Sequence, residues 1–365
     1  MATASYRKLH ELALARAEGY ASKIRKLYSD ATSRFVDLAS DTKLEEGEQF
    51  FFEDYPLLAK EVKKTVTKLA VGIERIVLRS TTAEWAKGLA DSKGMIDYVL
   101  KRYGIKDVDA LTDEDVGKFI SNREGALAAF QKRKIGGLSL SDKAWDLAQH
   151  QKIEAELARS ISLGRSADEV AKEMQQWLVE PDKLFRRVRD EFGVLRLSKN
   201  AKEYSPAIGT YRSSYKNALR LVRTETNMAY RNAEIESYQQ KDYVVGYEVH
   251  RSVTPYPCPV CEALAGKYPK EFVWNGWHPQ CRCFITPILI TEEEMSERRR
   301  AVIDGREYDT STSVNAVTEM PTAFGRWVDE NSERIERAYE RGRLPYFLAD
   351  NKWSWEDFYK EISSK

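Results

Sequence analysis

Residues 258–290 read CPVCEALAGKYPKEFVWNGWHPQCRCFITPILI and hold all four cysteines of the chain, Cys258, Cys261, Cys281 and Cys283. Cysteines scattered through a core do not cluster in this way. The pair Cys258-x2-Cys261 places two thiols on one side of a tight turn. After nineteen intervening residues Cys281-x-Cys283, with His278 three positions before Cys281, supplies up to three further donors. Two such arms close a tetrahedral site readily. Soft ligands with no redox demand point to Zn2+, one per chain and structural. Two disulfides, or reduced and unliganded thiols, are the alternative. Cys258, Cys261 and Cys281 are expected as ligands, and His278 and Cys283 compete for the fourth place. In a small β unit with little core, such a metal supplies folding energy, roughly 10–16 kcal/mol of apparent binding in zinc-finger peptides.

A catalytic zinc is disfavoured by what surrounds the cysteines. Pro257-Cys258-Pro259-Val260-Cys261 fits half of the zinc deaminase signature. The other half, H-x-E, fails because Arg251 and Ser252 follow His250. No H-E-x-x-H is present, and the four histidines are His10, His150, His250 and His278.

On either side of this stretch the pattern changes character. VVGYEVHRSV (244–253) alternates and is rich in β-branched residues, which predicts a strand; FVW (272–274) and CFITPILI (283–290) predict two more. Residues 291–301 predict a helix capped by Thr291. Upstream, apolar residues recur at helical spacing over 6–40, 57–80, 82–103, 111–133 and 142–161, and again from about Ser213 to Gln240. Ser166 and Glu169 read as a capping box for a helix over 167–178 after a stop at Gly164. Downstream, 306–323 is rich in Ser and Thr and weakly periodic, a linker or extended arm. The last 45 residues carry nine aromatics, which suit either a tail folded back on its own domain or an arm anchored on a neighbouring subunit.

The expected class is therefore mainly α (α+β), with long N-terminal and central helices, a small zinc-stabilised β subdomain and an extended C-terminal arm with a helix. The expected regions are 1–135 (N-terminal helical), 136–241 (central helical), 242–290 (zinc-binding β) and 291–365 (linker and aromatic-rich arm).

Length and charge exclude several classes. A chain of 365 residues suggests two or three domains. With 42% apolar and 32% charged residues it is too apolar for wholesale disorder, and no stretch approaches the ~20 apolar residues of a spanning helix. The opening MATASYRKLHELALARAEGY has no apolar h-region, so a reducing compartment is expected, which favours metal over disulfides. Net charge is +1, yet 182–223 holds eleven Lys and Arg against four acids. That segment is either a solvated face or a contact for phosphate backbone or an acidic protein surface, with Arg186, Arg187, Arg189, Arg196 and Lys199 as its candidates.

Four motifs in order resemble a known family: LVRTETNMAYRNA (221–233), YVVGYEVHRSV (243–253), CPVCEALAGK (258–267) and WHPQCRCFITPI (277–288). Together they look like the phage Mu F-like minor head proteins, the head morphogenesis family of tailed bacteriophages. The strong likeness covers 223–287, and a weaker one reaches back to about 142 through LGRSADEVAKEM. Where members often carry an acid before the first cysteine, this chain has SVTPYP (252–257). The resemblance implies a virion component near the portal vertex, made in the host cytoplasm and acting in capsid assembly rather than as an enzyme. Its implied partners are the portal protein, the major capsid protein, a scaffold and packaged DNA, with no membrane. Arg223, Glu225, Gly266 and Pro279 are the implied structural positions, the first two packing the helix against the zinc unit. A zinc-dependent nuclease and a cellular zinc-stabilised interaction module are the competing readings.

Overall fold

The computed structural model describes residues 2–42, 50–104, 125–148, 150–163, 165–178, 187–189, 195–197, 213–252 and 258–364. Gly164, Arg186, Lys199, 111–124 and 253–257 lie outside the described residues. In chain order the elements are α1 (Ala2–Asp41), α2 (Pro56–Arg102), α3 (Leu140–Ala148), α4 (His150–Ser162) and α5 (Ala167–Leu178). A short hairpin follows, β1 (Arg187–Arg189) and β2 (Leu195–Leu197), and then α6 (Ser214–Gln239). The next part holds β3 (Val244–His250), α7 (Pro259–Ala263), β4 (Gly266–Tyr268), β5 (Phe284–Leu289) and α8 (Glu292–Ile303). Four helices close the chain: α9 (Thr322–Glu330), α10 (Ser332–Glu340), α11 (Tyr346–Ala349) and α12 (Glu356–Ser363). Residues 125–132 are also helical. The protein is thus mainly helical, and the described residues form a small three-stranded antiparallel sheet besides the hairpin. Among the described residues no helix is long and apolar enough to cross a membrane.

Two compact units form. One comprises Glu18–Ser80 and Leu138–Arg223, the other Met1–Ala17, Thr81–Gly137 and Thr224–Lys365. The first is a helical bundle. Ile24, Tyr28 and Phe35 of α1 and Val62, Val66 and Ile73 of α2 are buried at the helical spacing seen in the sequence. Its α5 starts with the expected capping box, Glu169 N–H donating to Ser166 Oγ and Ser166 N–H to Glu169 Oε2 at 2.9 Å.

The two helices expected over 57–80 and 82–103 are one helix of 47 residues. The polar run Ser80-Thr81-Thr82 does not break it, because Ser80 Oγ donates back to the Val77 carbonyl at 3.0 Å and so satisfies itself within the helix.

The second unit is built on the sheet, in the order β4-β3-β5 and antiparallel throughout. The register sets Tyr247 opposite Tyr268, and Val249 opposite Ile285. FVW at 272–274 is not a strand. Val273 has strand-like hydrogen bonds, but a side chain provides them: its N–H donates to Asn351 Oδ1 at 2.7 Å, and its carbonyl accepts from Asn351 Nδ2 at 2.8 Å.

The C-terminal segment is not an extended arm. Phe324, Phe347, Leu348, Trp355 and Ile362 are buried in the same core as Tyr268, Phe272, Trp274 and Trp277. The ring of Phe324 lies 5.6 Å from that of Phe272, and Phe347 lies 5.1 Å from Trp277. The sheet alone leaves one apolar face uncovered, and these rings bury it. Even the Ser/Thr-rich stretch before α9 is tied in, with Val317 N–H donating to the Val245 carbonyl at 3.0 Å. The helix expected at 291–301 is α8, with a full capping box between Thr291 and Glu294.

Candidate metal centre

Local chemistry brings the first two thiols together. Cys258 is the N-cap of α7, and Pro259 occupies its first turn, where a missing N–H costs nothing. One turn on, Cys261 points to the same side. Gly266, at φ 150°, then reverses the chain into β4.

The second arm is a turn. Cys281 N–H donates to the His278 carbonyl at 3.0 Å, with Gln280 at φ 60°. Gln280 N–H also donates to Thr224 Oγ1 at 3.2 Å, which ties this turn to α6. Pro279 contributes its carbonyl, 2.9 Å from His278 Nδ1. A carbonyl can only accept, so Nδ1 carries the proton and Nε2 keeps its lone pair, the arrangement that outer-shell partners impose on metal-binding histidines.

His278 Nε2 faces the first arm, 3.3 Å from Cys258 Sγ and 3.2 Å from Cys261 Sγ. Cys261 Sγ lies 3.9 Å from Cys281 Sγ. Two donor groups share Cys261: Cys258, Cys261 and His278, and Cys261, Cys281 and Cys283. All four cysteines are free of disulfides. In a tetrahedral N/S site, bond lengths of about 2.3 and 2.0 Å place ligand atoms about 3.5–3.8 Å apart. The observed separations of 3.2, 3.3 and 3.9 Å bracket that size, and the cluster of Cys258, Cys261, His278, Cys281 and Cys283 can hold a metal ion.

Crowding differentiates the thiols. Hydrogen bonds from Cys261 and then Cys283 hold Cys281 well below an ordinary thiol. Cys261 is pushed up by its contacts with Cys281 and Cys283. At Cys283 the contact with Cys261 lowers and that with Cys281 raises, and burial adds to the rise, to about 12.

The backbone between the last two ligands is held by buried side chains. Arg231 Nη2 donates to the carbonyls of Cys281 at 2.5 Å and Cys283 at 2.9 Å, and Nη1 to that of Asn275 at 3.3 Å. His10 Nε2 donates to the intervening Arg282 carbonyl at 2.9 Å. Gly276, at φ 115°, makes room for this: a Cβ there would lie 2.8 Å from Arg231 Nη1 and 3.2 Å from Cys281 Cβ.

Burial, and then the charge of Arg231, pushes His10 down to about 3 from its ordinary 6.5. In the unfolded chain His10 takes up a proton as pH falls below about 6.5, while the folded form stays neutral until about 3. The folded state therefore loses stability across that window, by about 2 kcal/mol between pH 7 and pH 5. His10→Gln keeps a donor and cannot titrate. In urea unfolding its loss between pH 7 and pH 5 is expected to be about 2 kcal/mol smaller than that of wild type, the metal contribution being common to both. Equal losses would show that His10 is not held neutral.

The sequence-predicted residues fall into place unevenly. Arg223 and Glu225 do not pair with each other. Arg223 Nη2 donates to Glu18 at 2.7 Å, and the buried Glu225 accepts from Arg133 Nη2 at 2.6 Å. Between them Thr224 reaches the metal loop. Arg187 and Arg189 lie on β1 and Arg196 on β2, with Arg196 opposite Val188 in register. His10, Gly276 and Asn351 carry no sequence signal, and Thr224 and Arg231 lie within the motif 221–233 with nothing in it to mark their contacts to the metal loop. Arg231 sits in an ordinary polar-looking position of an amphipathic helix, and only the fold shows it to be fully buried. Comparison with protein-family models, with curated proteins and with solved structures finds no match to this chain.

Proposed function

We propose that this chain is a minor head protein of a tailed bacteriophage, of the Mu F-like head morphogenesis type, built around a structural zinc site. The observation that carries this reading is the order of motifs on one chain: the Arg-Thr-Glu helix, a strand, Cys-x2-Cys followed by glycine, and His-Pro-x-Cys-Arg-Cys. The proposed metal is zinc because three thiolates with an imidazole, or four thiolates, in a tetrahedral cage are the ligand set it favours. Bound there, it supplies a cross-link and no reaction. The cluster offers five candidate donors, enough to fill four coordination positions without a substrate, whereas catalytic zinc keeps one open. The chain's own residues do the rest: His278 is oriented by the Pro279 carbonyl, and the loop is held by Arg231 and His10.

In this reading the protein acts as a structural part of the capsid near the portal vertex, assembled in the host cytoplasm against portal and major capsid protein. Arg187, Arg189 and Arg196 are placed as contacts to packaged DNA or to an acidic portal surface. The test is co-expression with the portal protein of the same locus, followed by size-exclusion and mass analysis. Co-elution at a fixed ratio is expected. Separate elution of folded, metal-loaded protein would overturn the virion reading, and cleavage of DNA by that protein would establish a nuclease instead.

A further inference from the structure

Arg231 is 1% exposed and carries a permanent charge. A buried guanidinium is stable only when an anion compensates it. Yet its hydrogen-bond partners are three neutral carbonyls, those of Asn275, Cys281 and Cys283, with the ring of Trp274 5.0 Å away. Its Nε has no partner. Among the described residues no carboxylate lies within ion-pair distance of it. The nearest acid along α6 is Glu234, whose burial pushes its carboxyl well above the ordinary carboxylate range against the opposing pull of the Arg231 charge. On the other side stands neutral His10. A source of negative charge in direct packing is the thiol cluster, against which Arg231 lies through Gly276 with no room for a Cβ between them.

The charge count agrees. A divalent ion with three thiolates and one imidazole carries a net −1, and with four thiolates −2. Without compensation that charge would be buried beside Cys261, Cys281 and Cys283, which are 5%, 1% and 1% exposed.

We propose that Arg231 is the counter-cation of an anionic, thiolate-rich metal centre, fixing the metal's affinity through charge as well as through the loop carbonyls it binds; this rests on the metal reading above. Arg231 is a positioning residue that touches no metal.

Two substitutions separate charge from hydrogen bonding. Arg231→Gln keeps donors and loses the charge, while Arg231→Lys keeps the charge and loses the fork. Dissociation constants for Zn2+ are read by competition with a chromophoric chelator on the full chain. Arg231→Gln is expected to weaken binding about 10–100-fold, the usual range for outer-shell partners, and Arg231→Lys less than Arg231→Gln. Unchanged affinity in Arg231→Gln, or equal losses in both, would overturn the proposal and leave a carbonyl clamp. Wild type that binds no Zn2+ would instead sink the metal reading itself. Glu234→Gln decides the matter if either Arg231 variant fails to fold. It is expected to leave the Zn2+ affinity and the melting midpoint of wild type unchanged. A midpoint lowered by several degrees would make Glu234 the ionised partner of Arg231 and overturn the proposal.

Discussion

Cys261→Ser is expected to abolish metal binding and to lower the melting midpoint of the sheet unit by roughly 8–16 °C. Cys261 belongs to both donor groups of the centre, so its loss leaves each group with two donors instead of three. Serine is a hard, weakly basic oxygen donor and a poor substitute for thiolate. The stretch between β4 and β5 has no ladder of its own, and it is the part the metal would cross-link. At free metal about a thousandfold above Kd, binding contributes about 4 kcal/mol. For a unit of about 200 residues, each kcal/mol moves the midpoint by about 2–4 °C. Metal content by mass spectrometry of the native protein, together with calorimetry, checks both parts. Full metal occupancy in Cys261→Ser would refute the centre as drawn. The same measurement on His278→Ala and Cys283→Ser identifies the fourth ligand, since the residue outside the shell will cost no metal.

Asn351→Ala is expected to cost about 3–5 kcal/mol and to free the last turns of the chain from the core. Asn351 is fully buried, and its amide makes three hydrogen bonds: one accepted from Val273 N–H, and two donated, to the carbonyls of Val273 and Phe347. Alanine leaves those backbone groups in an apolar pocket, at about 1–3 kcal/mol for each that water cannot reach. The loss falls on the loop that leads to His278, so the metal loop and the C-terminal helices are expected to loosen together. Urea unfolding gives the cost, and hydrogen exchange at the Val273 amide gives the location. Asn351→Asp is the control: it can still accept from Val273 N–H, but it sets a carboxylate against two carbonyls and is expected to be no better than alanine. Slow exchange at Val273 in the alanine variant would show that another group carries that amide.

Features that were legible in the sequence are those whose chemistry is local. Cys258 and Cys261 are one turn apart, His278 and Cys281 face each other across a turn, and Thr291 and Glu294, three residues apart, cap one helix; in each case spacing along the chain sets spacing in space. The buried stripes of α1, α2 and α6 follow for the same reason, since a 3.6-residue period needs no knowledge of the partner surface. The two helical stretches expected over 57–80 and 82–103 are one because the interruption of a periodic pattern is a weak signal beside the packing of a long helix.

Tertiary structure alone decided the rest. FVW (272–274) has the composition of a strand, but its pairing comes from Asn351, 78 residues away, and no local pattern announces a side chain that acts as a strand. The C-terminal aromatics had to be buried somewhere, and only the uncovered face of the sheet determined that it would be within their own chain. Arg231 looks in sequence like any solvated arginine. The fold places it against the carbonyls of two candidate ligands with its charge shielded from water, because the energy of a charge depends on surroundings that distant segments supply.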